Sequence, residues 1–184
     1  MNKIGCEGCT KLKYLESNGT QYIDIGLLSR DARIDISFKY NDSTSNSQIL
    51  INCLHNTAGW FDLNREGNIV LDSEVFDNNY NTKRNFSIRY NVRYNNSTIT
   101  ATDENNLTKS FSASAVPSTN FTLFSDSAGR FSSKANIYSV KIYNNDNLAR
   151  DYIPVLDSQK RPCLFDKVEK KCYYNQGTGE FLYG

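Results

Sequence analysis

The sequence lacks long apolar runs, an excess of charge of either sign, and more than one histidine. No stretch approaches the ~20 apolar residues that span a bilayer. The 21 basic and 20 acidic residues give a formal net charge of +1, whereas proteins that bind nucleic acid or membrane surfaces usually carry a basic excess. The single His55 has no second histidine with which to build a metal cluster. These absences predict a protein that neither inserts into a membrane nor binds nucleic acid.

The start of the chain, MNKIGCEGCTKLKYLES, has no apolar stretch after its lysine, so we expect no signal peptide. Residues 1–10 are predicted to be a short N-terminal extension or docking arm. Residues 11–184 contain no linker, repeat or low-complexity block. They are predicted to form one domain, which is long enough to bury a two-layer core.

Five cysteines are an odd number, which rules out a complete disulfide framework. Cys6 and Cys9 form a C-x-x-C motif in GCEGC, but nothing helical follows it, as a redox motif would require. A zinc site would need two further ligands, and the remaining candidates are Cys163, Cys172 and the Cys53/His55 pair. We therefore expect reduced thiols without metal or other cofactor, and keep Cys6 and Cys9 as the beginning of an alternative zinc site.

The dominant hydrophobic period is two, which is typical of strands with one buried face. In ARIDISFKY the apolar residues Ile34, Ile36, Phe38 and Tyr40 alternate with polar ones, and NFSIRYNVRY shows the same alternation. Further strands are predicted over GTQYIDIGL, SQILINCLH, GWFDLN, GNIVLDS, STITATD, TKSFSAS, NFTLFS and KANIYSVKIYN, with turn signals between them. No segment has an apolar stripe of helical period, so the pattern predicts an all-β antiparallel sandwich or jelly roll.

Three stretches go beyond this pattern: YLESNGTQYIDIG, ANIYSVKIYNNDNLARDYIPVLD and CLFDKVEKKCYYNQGTG. In this order they resemble the concanavalin A-like, laminin-G-like jelly-roll modules of gut bacterial and bacteriophage proteins. The resemblance covers about residues 11–184 in layout, with the specific motifs at the two ends. It implies a concanavalin A-like antiparallel β-sandwich and non-catalytic roles, often glycan binding or attachment to a particle or cell surface.

Within these stretches, Arg150, Asp151, Tyr152 and Pro154 are predicted to be architectural. Pro154 cannot donate to a central ladder, so it should mark an edge or a strand end. Asp151 and Asp166 are expected to hold turns through their side chains. The final YYNQGTGEFLYG is predicted to be a hairpin whose aromatic residues close the sandwich near the first strands.

Catalytic residues are not predicted. Glucanases on this fold need two or three carboxylates on one strand. The nearest approach, LDSEVFD, has Asp72, Glu74 and Asp77 in a different order and spacing. Acidic loop residues of the kind that bind calcium occur at Asp42, Asp103, Glu104 and Asp126, but such residues are common in loops and no metal is assigned to them.

A glycan-binding face is the site that we predict. In GWFDLN, alternation places Phe61 and Leu63 towards the core and turns the only tryptophan outward beside polar groups. The competing interpretation packs this tryptophan under a loop or in a subunit interface. The predicted glycan-binding residues are Trp60, Asp62, Asn64 and Arg65.

The predicted function is a non-enzymatic structural or adhesion protein of a bacteriophage virion, made in the host cytoplasm. Its expected partners are other virion structural proteins, host-surface glycans and further copies of the same chain. The alternative is a free or cell-surface carbohydrate-binding protein of a gut bacterium, and a glycoside hydrolase is a third class. The virion role comes from the resemblance alone.

Overall fold

The computed structural model describes residues 5–28, 32–41, 48–53, 61–63, 69–71, 74–77, 90–95, 98–103, 106, 108–112, 119–126 and 129–184. These residues form seventeen strands and no helix. No helix in this part of the chain is long and apolar enough to cross a membrane.

The strands form two antiparallel sheets, one of eleven strands and one of six. The first sheet contains β1 (Thr10–Lys11), β2 (Leu15–Asn18), β4 (Ala32–Tyr40), β9 (Tyr90–Asn95), β10 (Thr98–Asp103), β11 (Thr108–Ser112), β13 (Lys134–Asn144), β14 (Asn147–Leu156), β15 (Pro162–Asp166), β16 (Lys171–Tyr173) and β17 (Leu182–Tyr183). The second sheet contains β3 (Ile23–Leu28), β5 (Gln48–Cys53), β6 (Phe61–Leu63), β7 (Ile69–Leu71), β8 (Glu74–Asp77) and β12 (Thr119–Leu123). The prediction of an all-β antiparallel fold is confirmed.

The order of strands in each sheet differs from their order in the chain. The main path of the first sheet runs β11-β10-β9-β4-β13-β14-β15-β16, with β1 beside β14, β2 beside β13 and β17 beside β2. The second runs β3-β12-β5-β6-β7-β8. Several neighbours are therefore far apart in sequence, as when β12 lies between β3 and β5.

Both sheets contribute to one hydrophobic core. The core residues include Ile23, Ile25, Leu50, Ile51, Phe121 and Leu123 from the second sheet, and Ile34, Phe38, Ile137, Val140, Ile142 and Tyr152 from the first. Two antiparallel sheets that bury a shared apolar layer have the arrangement of a β-sandwich.

Strand β4 has the buried face that its alternation predicts. Ile34, Ile36, Phe38 and Tyr40 are all almost fully buried. Burying one such side chain contributes about 1.5–3 kcal/mol. A register slip of one residue would turn the whole face to the other side, so this pattern fixes how β4 pairs with β9 and β13. The apolar positions predicted at 86 and 88 lie outside the described residues.

Pro154 lies inside β14, so the prediction of an edge or strand end is wrong. β14 pairs with β13 as far as Tyr152 and with β1 from Val155 onward. Pro154 therefore occupies the point at which β14 changes its partner, where its missing N–H breaks neither ladder. Its carbonyl oxygen accepts a hydrogen bond from the Leu12 N–H at 3.0 Å.

The prediction of a C-terminal hairpin is also wrong, because β16 pairs with β15 and β17 pairs with β2. The connecting segment runs along residues 20–22 instead of turning back on itself. Gln176 N–H donates to the Tyr22 carbonyl at 2.9 Å, and Thr178 N–H donates to the Thr20 carbonyl at 3.1 Å. These bonds hold residues 176–178 beside residues 20–22, and the last strand then pairs with β2.

The prediction that the C-terminal aromatic residues close the core is confirmed for Phe181. This side chain is 2% exposed and packs against Phe124, with ring centroids 5.2 Å apart. The neighbouring Leu182 and Tyr183 are 53% and 48% exposed. Only one aromatic residue of the final stretch, FLYG, therefore enters the core.

We expect Phe181→Ala to lower the free energy of unfolding by about 3–5 kcal/mol, because it leaves a cavity beside Phe124. The matched control Leu182→Ala, at the next residue but exposed, should change it by less than about 0.5 kcal/mol. Chemical denaturation followed by intrinsic fluorescence measures both. Equal, small losses in the two variants would contradict a closing role for Phe181.

Candidate functional site

The predicted glycan-binding residues lie largely outside the part of the chain that the structure describes. Trp60, Asn64 and Arg65 are outside it. Asp62 belongs to β6, where it is paired with Ile49 of β5 and Val70 of β7. The glycan-binding face therefore stays a prediction.

Two of the distinctive sequence segments, SNGTQY near the start and YNQGTG near the end, contact each other directly. Gln21 is fully buried and its side-chain oxygen accepts hydrogen bonds from Ser17 and from the Asn18 N–H, at 3.1 and 2.9 Å. Its amide nitrogen donates to the Thr178 carbonyl at 3.2 Å. A buried amide needs such partners to offset its desolvation.

Asn175 makes the reciprocal contacts from the C-terminal side. Its side-chain oxygen accepts the Gly177 and Tyr22 N–H groups at 2.8 and 3.1 Å, and its amide donates to the Gly179 carbonyl at 2.9 Å. A Cβ atom at Gly177 would collide with the Thr20 carbonyl oxygen. Close backbone approach therefore requires glycine there, and this contact is architectural.

Asp157 organises the turn between β14 and β15. One carboxylate oxygen accepts the Gln159 and Arg161 N–H groups at 2.8 and 2.9 Å. The other accepts Arg161 Nε at 2.9 Å and the Tyr174 hydroxyl at 2.8 Å. Lys160 takes a positive φ of 65° and its N–H bonds to the Asp157 carbonyl, as in a three-residue hairpin loop with a bulge.

These contacts set the protonation of the group. Burial by itself would raise the pKa of Asp157, but hydrogen bonds from Arg161, Tyr174 and Gln159 outweigh it and lower the pKa to about 2. Burial and the bond to Asp157 raise the pKa of Tyr174. The Arg161 guanidinium also lies over the Tyr174 ring, 4.5 Å from its centroid.

A second turn repeats this arrangement. Asp126 accepts Arg130 N–H at 2.6 Å and Arg130 Nε at 2.8 Å. Gly129, at φ 72°, donates to the Asp126 carbonyl. Both turns have the sequence Asp-Ser-x-x-Arg, at DSAGR and DSQKR. This repeat was not predicted, although an aspartate four residues before an arginine at two strand ends is visible in the sequence.

Asp166 holds the turn between β15 and β16, as predicted. One of its oxygens accepts the Asp151 and Val168 N–H groups at 3.0 and 2.9 Å. The other lies 3.5 Å from Arg150 Nε. Asp151, which lies within the neighbouring strand β14, forms an ion pair with Lys167 of this turn.

Arg150 extends this network towards solvent. Its Nη2 lies 2.6 Å from a Glu169 carboxylate oxygen, and the other Glu169 oxygen accepts the Tyr173 hydroxyl at 2.6 Å. Tyr152 lies edge-on to Tyr173 with centroids 5.2 Å apart, and burial together with Tyr173 and Asp166 raises its pKa. These ion pairs and hydrogen bonds link β14 to the turn between β15 and β16 and hold the three strands together.

The cysteines form the remaining chemical cluster of the described residues. Cys6 and Cys9 are joined as a disulfide, so the expectation of reduced thiols is wrong for this pair. Both pack, with Cys172, against Cys163 and Phe165. Burial and the neighbouring Cys172 raise the pKa of Cys163. This small apolar cluster lies beside the Asp157–Arg161–Tyr174 group. The charges of Asp157 and Arg161 act on Cys163.

We expect Asp157→Asn to lower the free energy of unfolding by about 2 kcal/mol near neutral pH, because several charge-assisted hydrogen bonds are lost. An unfolded aspartate has a pKa of about 3.9, above the folded value of about 2. The stabilisation is therefore complete above about pH 4 and is lost as the pH falls towards 2. Denaturation curves measured across this pH range should show the variant and the wild type converging at the acidic end.

The matched control is Glu180→Gln, which neutralises an exposed carboxylate. It should retain the wild-type acid dependence. If the difference in unfolding free energy between Asp157→Asn and the wild type instead stayed constant over the whole pH range, hydrogen bonds to the ionised Asp157 would not be the source of the acid dependence.

Comparison of the chain with protein-family models and with curated proteins found no match, so the geometry above and the sequence resemblance are what bear on function.

Proposed function

We propose that the chain is a non-enzymatic structural or adhesion module of a bacteriophage virion, folded as a concanavalin A-like jelly roll with a lectin-like face. The observation that carries the proposal is the direct contact between Gln21 and Thr178. It joins the early and late segments on which the resemblance rests, so these segments act together in the architecture.

The strand order supports the jelly-roll part of the proposal. In the first sheet β13 lies between β4 and β14, and in the second β12 lies between β3 and β5. Such long crossovers between sequence-distant neighbours are typical of Greek-key and jelly-roll sandwiches.

The buried acidic groups support a non-catalytic role. Asp126, Asp157 and Asp166 each accept backbone N–H groups of their own turns, and Asp151 is paired with Lys167. A carboxylate whose oxygens accept several nearby backbone N–H groups is occupied in holding its turn. A general acid of a glycosidase instead needs a raised pKa and a substrate-facing position.

The near-neutral net charge of +1 fits partners that are recognised by shape and neutral polar contacts, such as other virion proteins and host-surface glycans. Under this proposal the chain is made in the host cytoplasm, binds no nucleic acid and does not enter a membrane. The alternative is a carbohydrate-binding protein of a gut bacterial surface, which shares the lectin-like face and lacks the particle.

The virion role is tested by quantitative proteomics of purified virus particles from the culture that produces the protein. We expect peptides of this chain at a fixed ratio to the major capsid protein, and antibody labelling at a defined position on the particle. Detection of the chain only in the bacterial surface fraction would contradict the virion role and favour the alternative.

The lectin-like face is tested on an array of bacterial surface polysaccharides. We expect micromolar binding that Trp60→Ala abolishes, because loss of the aromatic ring removes stacking on the sugar C–H face. The control Tyr183→Ala, which removes an exposed aromatic side chain elsewhere, should bind normally. Binding that both variants retain would refute the assignment of Trp60. An array on which the wild type binds no glycan would refute the lectin-like function.

A further inference from the structure

Cysteine sulfurs from the two ends of the chain converge on one point. The Sγ atoms of Cys6, Cys9 and Cys172 all lie within 4.8 Å of one another. Cys163 is buried in the apolar cluster against which these three residues pack. The fifth cysteine, Cys53, belongs to β5 of the second sheet.

The composition of this cluster is unusual for a packing cluster. Within the described part of the chain, its other members are Val155, Phe165 and Ile153. Apolar packing alone would accept valine, leucine or alanine at any of these positions. Four thiols among seven residues, drawn from three separate segments, instead match what a soft metal ion requires.

The hairpin of β15 and β16 presents two of the thiols on one face. Phe165 lies directly opposite Cys172 in the ladder, and Cys163 is two residues before Phe165, hence on the same face. The two cysteines are therefore diagonal neighbours on adjacent strands, a separation that side chains can bridge. Tyr152 and Leu164 belong instead to the main core, so the thiols lie on the other side of the sheet.

The N-terminal turn brings the other two thiols over this face. Cys9 N–H donates to the Cys6 carbonyl at 3.4 Å, and Gly5 and Gly8 take positive φ values of 83° and 71°. Such a turn lets both side chains of a C-x-x-C motif point the same way. Pairing of Thr10 and Lys11 with β14 then anchors the segment in place.

We propose that Cys6, Cys9, Cys163 and Cys172 form a tetrathiolate site for one structural Zn²⁺ ion. Structural zinc sites are tetrahedral, with Zn–S distances of about 2.3 Å, which places the sulfurs about 3.8 Å apart. Cys172 Sγ lies within 4.8 Å of both the Cys6 and Cys9 sulfurs, and reduction of the Cys6–Cys9 disulfide would let these two sulfurs separate to that spacing. Binding releases the four thiol protons to solvent and leaves a centre with two net negative charges.

A basic side chain lies beside the proposed site. Lys170 Nζ lies against the backbone at Gly5, one residue before Cys6, where its positive charge offsets part of the negative charge of the centre.

The proposed site uses Cys6 and Cys9 as thiols, whereas the disulfide between them is the competing state. That disulfide closes a ring of four residues within one turn and leaves Cys163 and Cys172 as unused thiols. A zinc ion would use all four sulfurs and would tie the N-terminal segment to β15 and β16. The site thus accounts for the position of every cysteine in the cluster.

The test begins with the full chain, expressed without a metal-binding tag and purified with a phosphine reductant and no chelator. We expect inductively coupled plasma mass spectrometry to find one zinc per chain, and native mass spectrometry to show the corresponding adduct. The control Cys53→Ser should keep this stoichiometry. Cys6→Ser, Cys9→Ser and Cys172→Ser should each lose most of the zinc.

Cobalt substitution identifies the ligands spectroscopically. We expect Co²⁺ to give the intense visible and sulfur-to-metal charge-transfer bands of tetrahedral thiolate coordination, equal in Cys53→Ser and weakened in Cys172→Ser. If the buried Cys163→Ser variant does not fold, the double variant Cys6→Ser/Cys9→Ser replaces it, because its changes lie in a surface turn. A chelator should lower the Tm of the wild type and leave that of the double variant unchanged.

Three results would overturn the proposal. They are a metal-free chain whose Cys6–Cys9 disulfide persists under reductant, a coloured protein that contains iron in place of zinc, and zinc bound equally by wild type and the double variant. The last result would place the metal at another site.

Discussion

The fold depends on β13 being paired on both sides while it keeps its apolar face towards the core. On one side it pairs with β4, and on the other with β2 and then β14. Ala135 and Ile137 face the core before a bulge at Tyr138, and Val140 and Ile142 face it afterwards. Without the extra residue, the second half of the strand would turn its apolar face outward. The bulge therefore keeps β13 in register with the strictly alternating β4.

Properties that follow from local period could be predicted from the sequence. The buried face of β4 is an example, because alternation with period two needs no knowledge of the partner strand. The turn-holding role of Asp166 is another, since aspartate bonds to backbone N–H groups close to it in sequence. Both are interactions within a few residues, and both are confirmed.

Properties that depend on distant partners were predicted wrongly or missed. β16 and β17 look like a hairpin, yet their ladders form with β15 and β2, and the buried Gln21 amide bonds to the segment that connects them. Pro154 looks like a strand end because its lack of an N–H is visible in the sequence, whereas the change of partner along β14 is not. The convergence of Cys172 with Cys6 and Cys9 likewise arises from tertiary pairing, so spacing alone could not predict it.

The position of the N-terminal segment limits how it could act as a docking arm, and the division of the chain at residues 1–10 and 11–184 stays a prediction. β13 pairs with β14 only as far as Tyr152. Thr10 and Lys11 pair with the remaining part of the same edge. Cys6 and Cys9 cover the outer face of β15 and β16. An arm that reached a neighbouring subunit would have to expose this face and the open edge of β14.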